Sequence, residues 1–400
     1  MISIQTLREV LGQIAAAHTA DPTLNSAALV LRLKKVAPAV DRETLALALD
    51  TYFSRIQATE KLGTWALTGF FSSELLEQAS RHAISNYRAQ LFRGLSHVLE
   101  IGTGTGADTA ALARVAQRVT SIEVDPTRAE LARENLRIQG IGNVTILVGE
   151  VAEVLTTLDT HTFDGLFADP ARRTREGVRV RQGSDYSPTL EFLLDCSIGT
   201  VRAIKVSPGL FFEPPSTVWR RQFVGVGEEC LEQTLIFGRD VPDSSVYLAD
   251  HQAGWAPPTL QAADLPSEPA TLTGYISEAH GLINRSQHLA SFFAERGIAQ
   301  LAPDVAYGIS AEAPRGDIFL DSFRIIDSLA FTPSTLRQKL QTLGWTNRTE
   351  LKKRALTVDL DDLRTSLRLH PHTHNARFGT VFLFTWHGVR QAIIAERLSG

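Results

Sequence analysis

Cysteine is scarce in this 400-residue chain. There are two, Cys196 and Cys230, and neither belongs to a Cys-x-x-Cys pair. That excludes a disulfide scaffold and a zinc ribbon, and it suits a reducing compartment. Long hydrophobic runs are also missing. No stretch approaches the ~18 consecutive apolar residues of a membrane helix. The opening Met1-Ile2-Ser3-Ile4-Gln5-Thr6-Leu7-Arg8-Glu9 lacks the basic-then-apolar layout of a secretory signal, so a cytoplasmic location is expected. Low-complexity tracts and fixed-period repeats are absent, which excludes solenoids and disordered tails. Neither sign of charge dominates: 40 Lys and Arg stand against 44 Asp and Glu. With 44% apolar residues, this is a globular mixture long enough for two or three packed domains.

The net charge of −4 conceals an asymmetry. Residues 331–400 hold eleven Lys and Arg against five acids, a surplus of +6, so the remainder carries −10. A basic end on an acidic body suggests an anionic partner, nucleic acid being the commonest. A solvated basic face is the plainer reading of the same count.

Residues 1–92 read as a helical N-terminal domain. Apolar residues recur at three- and four-residue spacing at Leu7, Val10, Leu11, Ile14, then Leu29, Val30, Leu33, Val36, then Leu45 to Ile56. A fourth helix is expected from Ser73 to about Phe92. Over residues 93–240 short apolar runs alternate with amphipathic stretches, the pattern of an α/β domain. The runs are Val98–Ile101, Val119–Val124, Val144–Val148, Phe163–Ala168 and Val201–Val206. Two further runs, Gln222–Val226 and Leu231–Phe237, are joined by Gly227-Glu228-Glu229, too short for a crossover helix, so five parallel strands end in an antiparallel pair. Residues 241–270, rich in proline, read as a linker. Residues 271–400 read as a small α+β domain, with helices at Leu282–Arg296 and Thr335–Leu343 and strands at Ile318–Ile326, Leu351–Val358, Thr380–Phe384 and Val389–Ile394.

The sharpest local feature is Glu100-Ile101-Gly102-Thr103-Gly104-Thr105-Gly106, which ends the first strand and opens a helix. Glycines there let the backbone turn tightly and come close to a ligand, and the helix start adds unpaired amides. The next strand ends in Glu123-Val124-Asp125-Pro126, where a carboxylate can accept both hydroxyls of a ribose. Two cofactor classes share this layout. Gly102, Gly104 and Ala107 could serve a dinucleotide's pyrophosphate. The full Glu100, Gly102, Gly104, Gly106 pattern fits S-adenosyl-L-methionine better. Glu150, followed by Val151 after the third strand, is placed for the adenine amine, and Asp169-Pro170 closes the fourth strand.

Residues 98–238 resemble a class I S-adenosylmethionine-dependent methyltransferase. More closely, the chain resembles the bacterial methyltransferases with a C-terminal THUMP-like domain. The resemblance rests on Phe70-Phe71-Ser72-Ser73-Glu74, the Glu100–Gly106 loop, Phe167-Ala168-Asp169-Pro170-Ala171-Arg172-Arg173, Tyr186-Ser187-Pro188, Lys205-Val206-Ser207-Pro208-Gly209, Gly227 to Glu232 and Leu351-Lys352-Lys353-Arg354. It implies a Rossmann-like seven-stranded sheet with a reversed last strand. It also implies RNA as the substrate, by analogy with THUMP domains. A small-molecule or protein methyltransferase, or a non-catalytic RNA-binding protein that keeps the cofactor fold, are the alternatives.

On this reading Asp169 hydrogen-bonds the methyl acceptor while Pro170 fixes the loop. Ala171 and Arg172 stand where amino-group methyltransferases carry a second proline and an aromatic, and Tyr186 is the ring available to replace it. A covalent C5 mechanism lacks its thiol, since Ser207-Pro208 follows the fifth strand. Arg172, Arg173, Arg175, Arg179 and Arg181, beside Glu176, are expected to bind phosphates. Phe71 and Ser72 either close over the cofactor or pack and cap a helix. Asp108 and Thr109 are expected to cap the helix after the glycine loop, with cofactor contact. His370, His372 and His374 would share one face of a strand, without the companions of a metal site, and no metal is expected. Phe382, Phe384 and Trp386 alternate as core residues do.

Overall fold

The N-terminal helices begin where short polar side chains can take up unpaired amides. Ser3 accepts from Thr6 N–H and starts α1 (Ile4–Ala20). Asn25 caps α2 (Ser26–Val36) and Asp41 caps α3 (Arg42–Leu62) in the same way. Each such cap contributes about 1 kcal/mol. The buried face carries Leu7, Val10, Leu11 and Ile14, as the spacing predicts. In this computed structural model, residues 3–172, 183–210, 218–259, 268–302, 305–373 and 377–398 are described.

The helix expected from Ser73 to Phe92 is broken. α4 (Ser73–Gln78) stops at Ala79, and α5 (His82–Ala89) begins after Arg81, both of these in extended backbone. Ser80 sits in the break with its hydroxyl buried against Asp108, a bond that competes with continued helix.

The apolar runs that follow form β1 (His97–Ile101), β2 (Arg118–Glu123), β3 (Val144–Val148) and β4 (Gly165–Ala168). Between them lie α6 (Ala107–Ala113), α7 (Pro126–Ile138) and α8 (Val151–Thr156). A two-residue pair, β5 (Ala171–Arg172) with β6 (Tyr186–Ser187), precedes α9 (Leu190–Asp195) and β7 (Val201–Val206). The hairpin of β8 (Trp219–Val226) and β9 (Glu229–Phe237) completes the set. These seven longer strands lie in the order β3-β2-β1-β4-β7-β9-β8. Neighbours from β3 through β7 are parallel, and β9 runs antiparallel to β7. The seven expected strands, with the last reversed, are therefore present, within a sheet of nine. Strand order reverses at β1, so the crevice above the carboxyl ends of β1 and β4 is the place where such sheets bind ligands.

By its internal contacts the chain divides into two units, with the helices and this sheet in the first. The second unit holds the hairpin of β10 (Ser245–Leu248) and β11 (Ala253–Trp255), within the stretch read as a linker. It continues with β12 (Tyr275–Ala279), α10 (Gly281–Ser286), α11 (Leu289–Ala294), β13 (Ala299–Ala302) and β14 (Val305–Ser310). β15 (Leu320–Ala330), α12 (Pro333–Thr342), β16 (Glu350–Lys353), α13 (Leu360–Leu367), β17 (Thr380–Trp386) and β18 (Val389–Arg397) follow. The single helix expected over Leu282–Arg296 is split at Gln287, which adopts left-handed backbone.

Seven of these strands form one sheet, β13-β14-β12-β15-β18-β17-β16, buried on both faces. Along β17, Val381 and Leu383 pack with Leu336, Leu340, Leu363 and Leu367, while Phe382 and Phe384 pack with Tyr307 and Phe323. Alternation along a strand sends successive side chains to opposite faces, so Phe382 and Phe384 are core residues. Among the described residues no helix is long and apolar enough to cross a membrane.

Candidate active site

The loop after β1 depends on glycine at two positions for different reasons. Gly102 has φ +91°, and a Cβ there would stand 2.5 Å from the Asp169 carbonyl oxygen. Asp169 N–H donates to Ile101 O at 2.9 Å, so the turns after β1 and β4 lie against each other. Gly104 has φ +54°, and a Cβ there would meet no atom within 4 Å, so that side of the loop is open. Gly106 is the cap residue of α6.

Glu123 closes β2 and lies beside the same loop. Its carboxylate accepts from Gly104 N–H at 3.0 Å and Asp125 N–H at 3.1 Å. Val124, next in the chain, is an exposed apolar side chain, 54% accessible. Glu150 is exposed at the start of α8, and Val151 packs partly against the core. Thr103 Oγ1 shares a 2.6 Å hydrogen bond with Ser121 Oγ.

Glu100 is fully buried beneath the loop. Oε2 accepts from Thr109 Oγ1 at 2.5 Å and Ser121 Oγ at 2.6 Å. Oε1 is buried with no partner. Burial pushes the carboxyl up to about 8, with the two hydroxyls pulling the other way and the negative charges of Asp108 and Asp169 adding to the rise. The residues expected to cap α6 do not cap it. Gly106 holds the cap position, Thr109 is drawn to Glu100, and Asp108 faces inward to Ser80, Ser85 and Arg88.

Asp169 follows β4, and its Oδ2 lies 2.8 Å from Lys205 Nζ on β7. Lys205 also donates to Ser80 Oγ at 2.9 Å, and Ser80 donates to Asp108 Oδ2 at 2.8 Å. Arg88, 3% exposed, bonds Asp108 at 2.5 Å and also Glu232, with its guanidinium 4.7 Å from the Phe167 ring centre. Burial disfavours the Lys205 ammonium, but Asp169, Glu232 and Asp108 outweigh it and hold Lys205 above its ordinary value. Asp108 shows the reverse balance. Burial raises it, yet Arg88 and Lys205 bring it below the usual carboxylate range.

Lys205 is the residue at this site that no motif in the sequence singles out. Its signal is a lysine within Ala203-Ile204-Lys205-Val206, an otherwise apolar stretch of β7. Burying an ammonium there requires a partner.

Other candidates fall elsewhere. Tyr186 is 1% exposed within the core that includes Leu190 and Leu193, and its hydroxyl accepts from Ser207 N–H at 2.8 Å, so it is a core ring rather than an open stacking face. Phe71 is buried edge-on to Trp65, and Ser72 caps α4 by accepting from Leu75 N–H. The adjacent Phe70 is tied through Asn135 to Thr105 of the glycine loop. Arg172 closes β5, while Arg173, Arg175, Glu176, Arg179 and Arg181 lie outside the described residues. Cys196 follows the last turn of α9, where burial raises its thiol, and Cys230 lies in β9. His370 and His372 are not on a strand, and His374 lies outside the described residues.

A family profile described as a methyltransferase domain matches residues 98–173, from β1 past Asp169. A second, described as THUMP domain-like, matches residues 320–397. An uncharacterised S-adenosylmethionine-dependent methyltransferase of Mycobacterium tuberculosis is 28% identical over 335 residues, covering 80% of this chain and 88% of that protein. The chain is an S-adenosylmethionine-dependent methyltransferase with a THUMP-like domain. The crystal structure of a candidate methyltransferase from Porphyromonas gingivalis shares the fold of this methyltransferase, with a TM-score of 0.78, 18% identity and full coverage of both chains. A protein-L-isoaspartate O-methyltransferase of Magnetococcus marinus is 40% identical to it over 92 residues, only 23% of this chain and 34% of that protein.

The residues present fit S-adenosylmethionine. Glu100 Oε1 is buried without a partner and can accept a hydrogen bond from the ligand's ammonium, and Gly104 leaves the loop open on one side.

Proposed function

We propose that this methyltransferase acts in the cytoplasm on RNA, at a base or ribose atom, by direct displacement without a covalent enzyme intermediate. The observation that carries the substrate class is the +6 surplus of residues 331–400, which overlap the THUMP-like match. Lys and Arg contacts to phosphates supply most sequence-independent affinity for nucleic acid.

S-adenosylmethionine supplies, when bound, a methyl group already activated on a sulfonium, so the chain's task is positioning and exclusion of water. Glu123 accepts the ribose hydroxyls, and Val124 and Val151 flank the base whose amine Glu150 receives. Gly102, Thr103, Gly104 and Gly106 shape the loop that would receive the amino-acid end above Glu100, with the Gly102, Gly104 and Gly106 amides already donating to Ile122 O, Glu123 and Thr103 O. Asp108 and Thr109 act from beneath, through Arg88 and Glu100. Phe71 and Ser72 hold the segment that Asn135 ties to the loop.

At the acceptor, Lys205 occupies Asp169 Oδ2, which leaves Oδ1 to accept a hydrogen bond from the attacking N–H or O–H. Asp169 would take the acceptor's proton as the methyl group is transferred. Pro170 restrains the loop, and Arg172, Arg173 and the arginines after them meet phosphates. The direct route is supported by the cysteines: Cys196 has a thiol raised by burial, and serine and proline follow β7.

The test is to incubate the enzyme with radiolabelled S-adenosylmethionine and RNA from a strain lacking it, then identify the labelled nucleoside. Label in RNA that disappears with Asp169→Ala supports the reading. Label confined to protein or to small molecules overturns the RNA assignment.

A further inference from the structure

Within the second unit, several cations already have a carboxylate. Lys352 and Arg354 meet Glu278, Lys339 meets Asp327, Arg397 meets Asp321 and Arg324 meets Glu396. Arg348, Arg364, Arg368 and Arg377 are exposed and, among the described residues, pair with no carboxylate. They are grouped by backbone contacts. Arg364 Nη1 donates to the carbonyls of Asn347 and Thr349 at 3.0 and 3.1 Å. Thr346 N–H donates to Arg377 O, and Asn347 N–H to His370 O. The nearby acids are engaged: Asp359 caps α13, Asp361 and Asp362 sit in its first turn at the end away from Arg368, and Glu350 accepts from Thr380. A helix dipole favours cations at the end of α13. It explains neither Arg348 nor Arg377.

Beside these arginines is an aromatic ring that the core did not take. Phe378 is 45% exposed. The Arg348 guanidinium carbon lies 4.8 Å from its centre, and the His372 ring meets it edge-on at 5.3 Å. An exposed aromatic flanked by a guanidinium is a stacking platform for an unpaired base. Asn347 links this platform to a pocket of about 190 Å³, lined by Asn347, Thr349, Arg364, Thr365, Arg368 and leucines. That is smaller than the ~300 Å³ at which pockets for whole small molecules begin, and it suits a phosphate or a sugar.

We infer that this face of the THUMP-like domain binds single-stranded RNA, stacking a base on Phe378 and holding backbone phosphate at Arg364 and Arg368. The inference rests on the RNA reading above and deepens it. Duplex RNA buries its bases and would use the arginines alone.

The test is fluorescence anisotropy of a labelled 12-nucleotide mixed-sequence RNA, single-stranded and as a duplex, with the full chain at several salt concentrations. The wild type is expected to prefer the single strand. Phe378→Ala and Phe378→Leu should each weaken single-strand binding about tenfold, with the salt slope and duplex binding unchanged. Arg364→Gln with Arg368→Gln should lower the salt slope by about 1.4 for two lost phosphate contacts. Circular dichroism and thermal melting, unchanged in all variants, show that each is folded. If the variants bind RNA like wild type while the wild type still labels RNA, this surface is wrong and the RNA reading survives. If the wild type neither binds nor labels RNA, both fail, and tight capture of polyglutamate instead would make the face a protein-docking surface.

Discussion

The Lys205 ammonium stands 2.8 Å from Asp169 Oδ2, where the neighbouring strands β7 and β4 end. One carboxylate oxygen is thereby fixed, and the other is aimed by the same contact. Asp169→Ala is expected to lower kcat by about 10² to 10⁴. Lys205→Met should lower kcat by about tenfold or more with little change in the KM for S-adenosylmethionine, and Lys205→Arg should restore part of it. A KM rise with unchanged kcat in Lys205→Met would show that the lysine serves only binding.

Much of the first unit was legible because its signals are local. Parallel strands buried on both faces read as continuous apolar runs, and the glycine loop with Glu100 and Glu123 lies within a single strand-helix-strand unit. The Asp169, Lys205 and Arg88 network was not legible. Lys205 reaches back 36 residues to Asp169, and Arg88 reaches 144 residues forward to Glu232. No local pattern announces such partners. In the second unit, β12 and β14 went unread because Ser277, Glu278 and Gly308 interrupt their apolar residues. α13 was missed because it shows only Leu360, Leu363 and Leu367 on one face, although Asp359 marks its start.

Glu100 makes stability depend on pH in a defined direction. Its carboxyl stands at about 8 in the folded chain against an ordinary 4.5. Below the ordinary value both states hold the proton and the full contribution is present. Between the two values the folded chain keeps the proton that the unfolded chain has lost, so stability falls as pH rises, by up to about 1.4 kcal/mol per unit. Above about 8 the loss is complete. Urea midpoints measured from about pH 5 to pH 8 should decline less steeply in Glu100→Gln than in the wild type. Equal slopes would mean that Glu100 ionises normally in the fold.

The two open-loop glycines should fail differently. In Gly102→Ala the new Cβ would run into the Asp169 carbonyl at 2.5 Å, in backbone that disfavours side chains by about 1–2 kcal/mol. It should lower thermal stability and activity together. In Gly104→Ala the Cβ meets nothing within 4 Å, so melting should shift by only a few degrees, mostly from backbone strain. S-adenosylhomocysteine affinity in calorimetry should nevertheless fall at least about tenfold, because that open side is where the ligand approaches. Wild-type affinity in Gly104→Ala would place the cofactor elsewhere.

Arg88 tests whether the buried charges support the fold. It lies between Asp108 and Glu232, and all three are nearly or fully inaccessible. Removing one partner of a buried pair costs about 3–5 kcal/mol, chiefly because the remaining charges stay unpaired. Here two carboxylates would remain, and Lys205, whose charge both acids favour, is already engaged by Asp169. Arg88→Met should therefore destabilise the chain by that amount at neutral pH in chemical unfolding. The deficit should shrink at acid pH, because Asp108, held below the usual carboxylate range by Arg88 and Lys205 in the wild type, takes up a proton more readily once the guanidinium is gone. Lys205, drawn toward the acids that Arg88 no longer neutralises, should pull less on Asp169, so kcat should fall further than the loss of folded protein explains. A destabilisation that does not change with pH would assign Arg88 to packing against Phe167 instead of to charge.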